Sequence, residues 1–270
     1  MRFRPGIALG LVLGTVFALG PLVWMVSASF MAPGEASSSP PPLLPDQPGL
    51  GQYRTLIDRL ALGRFFFNSL VTATIATLLS LLINSMAAYA FAKLRFAGRD
   101  KVFSGLAGLL VVPSQVGMLP LFLMLRELGV TNTYLGVIIP WMASVLGIFM
   151  VRQYALSIPD DLLDAARLDG ASELQIFRRI VLPVIAPILV TLAIYTFLGS
   201  WNDFLWPLIV LSDDRWYTLP VAMAGLSGEY VLDVELMMAG AVVTVLPVVL
   251  VFLALQRHYI QGIMVGSVKG

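Results

Sequence analysis

Ile158-Pro159-Asp160-Asp161-Leu162-Leu163-Asp164-Ala165-Ala166-Arg167-Leu168-Asp169-Gly170-Ala171-Ser172-Glu173-Leu174-Gln175-Ile176-Phe177-Arg178-Arg179-Ile180-Val181-Leu182-Pro183 is a charged run set between two strongly apolar stretches. Pro159 suits the first turn of a helix, where a missing N–H costs nothing. Asp160 and Asp161 fall at the positive end of that helix's dipole. Leu162, Leu163, Ala165 and Ala166 give it a partly apolar, small-residue face. Gly170 is placed for a left-handed C-terminal cap. Ser172 with Gln175 three positions on predicts a capping box for a second helix. That helix is expected to carry Phe177 and Ile180 toward the membrane, with Arg178 and Arg179 at the inner interface and Pro183 and Pro187 marking entry to the next span. The reading is helix, glycine turn, helix at a membrane surface. Such a unit either docks in a groove of another protein or is an ordinary amphipathic connector.

Outward from this run, the chain divides into apolar segments long enough to cross a bilayer, which takes about 20 residues. Six are predicted, at 6–28, 66–91, 102–125, 134–151, 184–211 and 236–255, with the charged connection at 152–183 between the fourth and fifth. Each is apolar around most of its circumference, as a helix surrounded by lipid or protein must be. The first has Arg2 and Arg4 in front and Ser27-Ala28-Ser29 behind, like a cleavable leader. Its apolar core exceeds the roughly 7–15 residues of a leader, so a retained helix is expected. The whole chain, 1–270, reads as a single all-α transmembrane domain.

Composition agrees. Of 270 residues, 58% are hydrophobic and 12% charged, with a mean hydropathy of +0.87. A soluble domain of this size could not cover so much apolar surface with so few charges. There is one histidine, His258, and no cysteine. That argues against a zinc or haem site and against most nucleophile and general-base chemistry. No basic stripe with interleaved aromatics suggests nucleic acid. Phosphate-loop ATPases need Gly-Lys followed by Ser or Thr. The lysines here, Lys93, Lys101 and Lys269, follow Ala, Asp and Val. Any ATP and Mg would be bound by a partner.

The Lys/Arg bias sets an orientation. With both termini on the cytoplasmic side, the segment Lys93 to Lys101 and the connection carrying Arg152, Arg167, Arg178 and Arg179 also lie inside. Only Arg54, Arg59, Arg64, Arg126 and Arg215 fall outside. The first outer connection, with Pro33, Gly34 and Ser37 through Pro42, reads as an extended linker, followed by a short interfacial helix over 53–62. The connection 212–235 is acidic and aromatic.

The run Asp164-Ala165-Ala166, then Asp169-Gly170-Ala171-Ser172, Phe177, Ile180, Leu182-Pro183 and Pro187 resembles the EAA loop of binding-protein-dependent ABC importer permeases. Asp164 stands where that family usually has Glu, one methylene shorter. The chain is also similar to the carbohydrate subfamily, specifically the second permease subunit of maltose-type importers. That likeness rests on Pro40 through Pro45, Tyr53, Trp201-Asn202-Asp203-Phe204, Pro207-Leu208 and the tail Gln261 to Gly270. The resemblance implies a cytoplasmic coupling helix built on Asp164, Ala165, Ala166, Asp169, Gly170, Ala171 and Ser172. It implies as partners a second homologous permease subunit, an ATPase subunit dimer and an extracytoplasmic solute-binding protein, in the plasma (inner) membrane of a bacterium or archaeon. The expected cargo is a sugar or oligosaccharide.

Asp203 is the one acidic residue well inside a predicted span, where an ionisable group is costly. With Trp201 and Asn202 it offers hydrogen-bonding groups and flat apolar faces, the chemistry a sugar requires. It either lines a substrate path or bonds helices together. Ser80, Asn84, Ser85 and Gln115 read as interhelical hydrogen bonders. The rival functional reading is a stand-alone secondary transporter, which would need several ion-coupling groups near the membrane midplane.

Overall fold

Segments that are apolar on every side satisfy their backbone groups internally, and a helix does so residue by residue. The computed structural model describes residues 5–58, 60–229 and 233–267. Among them there is no strand. The helices are α1 (Pro5–Ala28), α2 (Gly51–Asp58), α3 (Leu62–Lys93), α4 (Arg99–Gly108), α5 (Met118–Glu127), α6 (Tyr134–Met142), α7 (Val145–Ala155), α8 (Asp160–Leu168), α9 (Glu173–Ile176), α10 (Leu182–Trp201), α11 (Leu205–Val210), α12 (Leu219–Glu229) and α13 (Val234–Ser267).

By length and hydropathy, five segments qualify as membrane spans: Ala8–Ala28, Leu62–Lys93, Tyr134–Ala155, Glu173–Trp201 and Val234–Ala254. The expected third span, 102–125, is not a straight crossing. It consists of Arg99–Val111 and Ser114–Glu127, bent by 104°, and it makes a sixth span only if the bent pair is one. Pro113 explains the break: it has no N–H to donate and it drives the preceding residue out of helical conformation. Val112 is accordingly extended, with φ −83 and ψ 121.

Two further boundaries differ from the sequence reading. The fifth span does not run to 211. Its helix starts at Glu173, passes through a π turn at Phe177–Val181 and ends at Trp201. Pro183 and Pro187 follow the π turn, each removing a backbone donor from the first turns of α10. Residues 202–204 interrupt it before α11. The charged connection is thereby shortened to 156–172, since 152–155 belong to α7. In the connection 212–235, residues 219–229 are helical as α12. That helix is too short to span, and Pro220 and Gly225 masked it.

The chain forms two compact units, Met1–Phe66 with Leu219–Val249, and Phe67–Thr218 with Leu250–Gly270. In the first, Trp24, Ala28, Met31, Ala36, Val234 and Met238 pack together. The proline-rich stretch is fastened rather than free: Trp24 Nε1 donates to the Pro42 carbonyl at 3.0 Å and Ser27 Oγ to that of Leu43 at 2.6 Å. Glu235, which the sequence places in an outer loop, is fully buried in the first turn of α13. Its Oε1 accepts the Ala36 N–H at 2.6 Å.

In the second unit the main core joins α3, α7, α8, α9 and α10 through Ala88, Ala92, Val151, Ala155, Leu163, Ile176, Val181, Ile185 and Leu192. Ala88 and Ala92 of α3 and Leu163 of α8 belong to this one core. The tail residues 268–270, Arg2, Arg4 and Arg59 lie outside the described residues, as do the side chains of His258 and of the tail motif from Gln261.

Candidate functional site: the α8 hairpin and the α10 break

α8 begins at Asp160, with Pro159 just before it at the N-cap in extended conformation (φ −61, ψ 134) rather than inside the first turn. Gly170 adopts φ +81 and closes the helix, as its sequence position implied. Both halves of the capping box form: Gln175 N–H donates to Ser172 Oγ at 3.4 Å and Ser172 N–H to Gln175 Oε1 at 2.8 Å. The second helix departs from expectation in its facing. Phe177 is buried, its ring 5.6 Å from that of Tyr89.

One residue of α8, Leu163, is fully inserted, at 1% exposure. Asp161, Asp164, Ala165 and Leu168 are exposed, Leu168 at 90%. Asp161, Ala165 and Leu168 recur at helical spacing and so share one face. Asp169, Gly170 and Ser172 are exposed beside it and Ala171 is half-buried.

Asp164 is not idle. It accepts Arg167 Nη1 at 2.6 Å, one helical turn on. Arg167 Nε donates to Glu173 Oε1 at 2.8 Å, and Tyr89 Oη donates to Glu173 Oε2. Hydrogen bonds to Glu173 and then Asp164 raise the Arg167 pKa still further above its ordinary value. At the start of the hairpin, Lys93 Nζ donates to the Ile158 carbonyl at 2.5 Å and to Asp160 Oδ1 at 2.7 Å. That hydrogen bond and charge hold the Asp160 carboxyl below its usual range. Lys93, Arg95, Arg99, Asp160, Asp164 and Arg167 line a polar cavity of about 780 Å³. Tyr89, Lys93 and Glu173 were not picked out by sequence. Tyr89 and Lys93 lie a whole span away along the chain, and a single sequence holds no pairing signal.

At the α10 break the three predicted residues separate. Trp201 is fully buried, stacked on Phe197 at 6.0 Å. Asn202 turns back to its own helix, Nδ2 donating to the Leu198 carbonyl at 2.8 Å. Asp203 joins a different neighbour: it accepts Trp141 Nε1 at 3.2 Å and, through Oδ1, the Trp206 N–H at 3.3 Å. Trp141, absent from the sequence reading, lies against Gly199, where a Cβ would come within 2.5 Å of its ring. Trp206 donates its indole N–H to the Gly136 carbonyl at 2.9 Å.

Asn84 and Ser80 do bond beyond their own helix: Asn84 Oδ1 accepts the Ser144 N–H at 3.0 Å and Ser80 Oγ lies 3.2 Å from Thr196 Oγ1, while Asn84 Nδ2 donates within α3 to Ser80 Oγ at 2.7 Å. Among the described residues no group of three or more His, Cys, Asp or Glu gathers into a metal site.

An all-helical chain with several apolar spans, broken helices and a polar hairpin at one end is a multi-pass membrane transport subunit. Residues 85–265 match the family described as binding-protein-dependent transport system inner membrane component, and the chain belongs to that family. It is 42% identical over 206 residues to the arabinooligosaccharides transport system permease protein AraQ of Halalkalibacterium halodurans, covering 76% of this chain and 74% of the relative. It is 34% identical over 253 residues to the melibiose/raffinose/stachyose import permease protein MelC of Bacillus subtilis, covering 93% and 91%. Its fold matches a chain from a bacterial ABC transporter involved in the import of the acidic polysaccharide alginate. There the TM-score is 0.83 at 24% identity, over 95% of this chain and 99% of that one. The chain is therefore an ABC permease component of the inner membrane.

Proposed function

We propose that the chain carries a sugar or oligosaccharide across the inner membrane and takes its drive from an ATPase docked on α8. The observation that carries this reading is the outer face of α8: Asp161, Ala165 and Leu168 exposed around a small central residue, on a helix anchored from behind by Leu163. The small residue at 165 between Asp161 and Leu168 lets a groove in a partner approach the helix, with Leu168 as its apolar anchor. The names of the relatives, which concern arabinooligosaccharides and raffinose-type sugars, support the substrate class.

On this reading Asp164, Ala165, Ala166, Asp169, Gly170, Ala171 and Ser172 form the coupling element. An ATPase dimer binds ATP and Mg, a second homologous permease completes the path, and an extracytoplasmic solute-binding protein delivers the sugar. All of 1–270 works as one transmembrane domain, with both termini cytoplasmic as the distribution of Lys and Arg supports. Asp203 with Trp141, beside Trp201 and Asn202, is the candidate path lining. Closure of the ATPase pair moves α8, and the helices switch between inward and outward access.

The test is affinity purification of the tagged chain from native membranes in mild detergent. An ATPase and a second permease are expected to accompany it, and both are expected to be lost when 164–170 is replaced by a flexible linker. A well-folded chain that purifies alone and transports without ATP would establish the secondary-transporter reading instead.

A further inference from the structure

The contacts of α8 are unevenly distributed. Behind its single inserted residue, Leu163, two polar groups that hold the hairpin come from α3, the Lys93 ammonium and the Tyr89 hydroxyl. Lys93 and Tyr89 are one helical turn apart on α3 and so lie on the same side of it. Lys93, whose side chain is only 5% exposed, grips the beginning of the hairpin through the Ile158 carbonyl and Asp160. Tyr89, also buried, grips the end through Glu173. Glu173 passes the connection to Arg167, and Arg167 to Asp164 in the middle of α8. Charge-assisted hydrogen bonds of this kind are about twice as strong as neutral ones and fix geometry.

The other end of the relay also starts on α3. Above Tyr89 on the same helix, Asn84 bonds the α6–α7 break at Ser144 and Ser80 bonds Thr196 of α10. One helix therefore joins the hairpin to two places where membrane helices are held by polar groups.

We propose that α3 is the lever that carries displacement of α8 into the membrane, with Tyr89 and Lys93 as its positioning residues and Glu173–Arg167 as the link. This rests on the importer reading above. Without the link α8 would stay coupled to α3 only through the shared core around Leu163 and through Lys93 at the start of the hairpin, and its displacement would reach α3 less completely.

Tyr89→Phe isolates the claim, because it removes the hydroxyl and keeps the ring against Phe177. The measurement is made on the full complex with its ATPase and binding protein in proteoliposomes, as labelled sugar accumulated per ATP hydrolysed. Tyr89→Phe is expected to lower that ratio about fivefold at an undiminished yield of complex. Lys93→Met is expected to lower it in the same direction. Glu173→Gln combined with Tyr89→Phe should be no worse than the more severe single change, because both break one link. An unchanged ratio in Tyr89→Phe overturns the lever. So does a loss of uptake that only follows a loss of assembled complex. A wild-type chain that recovers no ATPase overturns the importer reading, which is a different failure.

Discussion

Asn84 Oδ1 accepts the backbone N–H of Ser144 at 3.0 Å, from the middle of one apolar helix to the point where another, α6–α7, is interrupted. Between α6 and α7, Ala143 and Ser144 leave helical conformation. Inside a membrane no water replaces the lost partners of such a break. Asn84 supplies one acceptor, and Ser144 Oγ accepts the Gly147 N–H at 3.2 Å and restarts the helix. Asn84→Leu keeps the bulk and removes the acceptor. It is expected to cost about 1–3 kcal/mol, read as a lower Tm of the purified chain in detergent. Ser80→Ala, which removes a hydroxyl at the edge of the same network, should cost less. An unchanged Tm in Asn84→Leu would mean that the Ser144 N–H is satisfied elsewhere.

The contact of Trp141 with Gly199 gives the second prediction. A methyl group at 199 would meet the indole at 2.5 Å, so the ring must move and its hydrogen bond to Asp203 with it. Overpacking of this kind costs about 1–3 kcal/mol. Gly199→Ala is expected to lower both stability and uptake. Trp141→Leu in the same chain should restore stability but not uptake, because it relieves the clash without returning the indole N–H. Recovery of both would remove Trp141 from the path, and recovery of neither would place the damage in the α10 backbone.

Asp160 gives a dependence on acid. Its carboxyl is held below the ordinary value of 3.8 by Lys93, first through the hydrogen bond and then through charge. A carboxyl whose pKa is lowered on folding stabilises the fold above its unfolded value, and that contribution disappears as pH falls through the folded value. The side chain is 77% exposed, so water screens the pair and the effect is small. The difference in Tm between wild type and Asp160→Asn is therefore expected to be constant near neutral pH, to begin shrinking near the unfolded value of about pH 4, and to vanish only once the pH has fallen below the lowered folded value. A difference that persisted in acid would assign the effect to the helix start rather than to Lys93.

What the sequence exposed and what it hid separate on physical lines. The hairpin was legible because its signals are local: Gly170, the Ser172–Gln175 pair and the acidic first turn each act within a few residues. The apolar spans were legible for the same reason. The 104° bend at Pro113 was readable as a proline but not as an angle, since many membrane helices tolerate proline when neighbours satisfy the freed groups. Glu235 looked like a loop carboxylate because its partner, the Ala36 N–H, lies far away in sequence. The pairing of Tyr89 with Glu173 and of Trp141 with Asp203 is tertiary. Composition and periodicity carry no information about it, and so Asn202 and Asp203 were grouped although their side chains turn to different partners.

Gly170 allows the hairpin geometry itself to be tested. Its φ of +81 lies in the left-handed region, and no atom lies within 4 Å of a Cβ built there. A substitution therefore meets open space, and its cost comes from the backbone alone. Alanine in this region costs about 1–2 kcal/mol, and asparagine less, because its side chain tolerates the conformation. Gly170→Ala should lower the Tm modestly and Gly170→Asn less. On the importer reading the larger effect falls elsewhere. If alanine straightens the turn, α8 is reoriented while Leu163 still holds it, and the exposed face with Leu168 no longer points where the ATPase groove expects it. ATPase recovered with the tagged chain should then fall in the order glycine, asparagine, alanine, by more than the stability loss accounts for. Recovery that follows Tm alone would mean that the turn only supports the fold and that its direction does not matter to the partner.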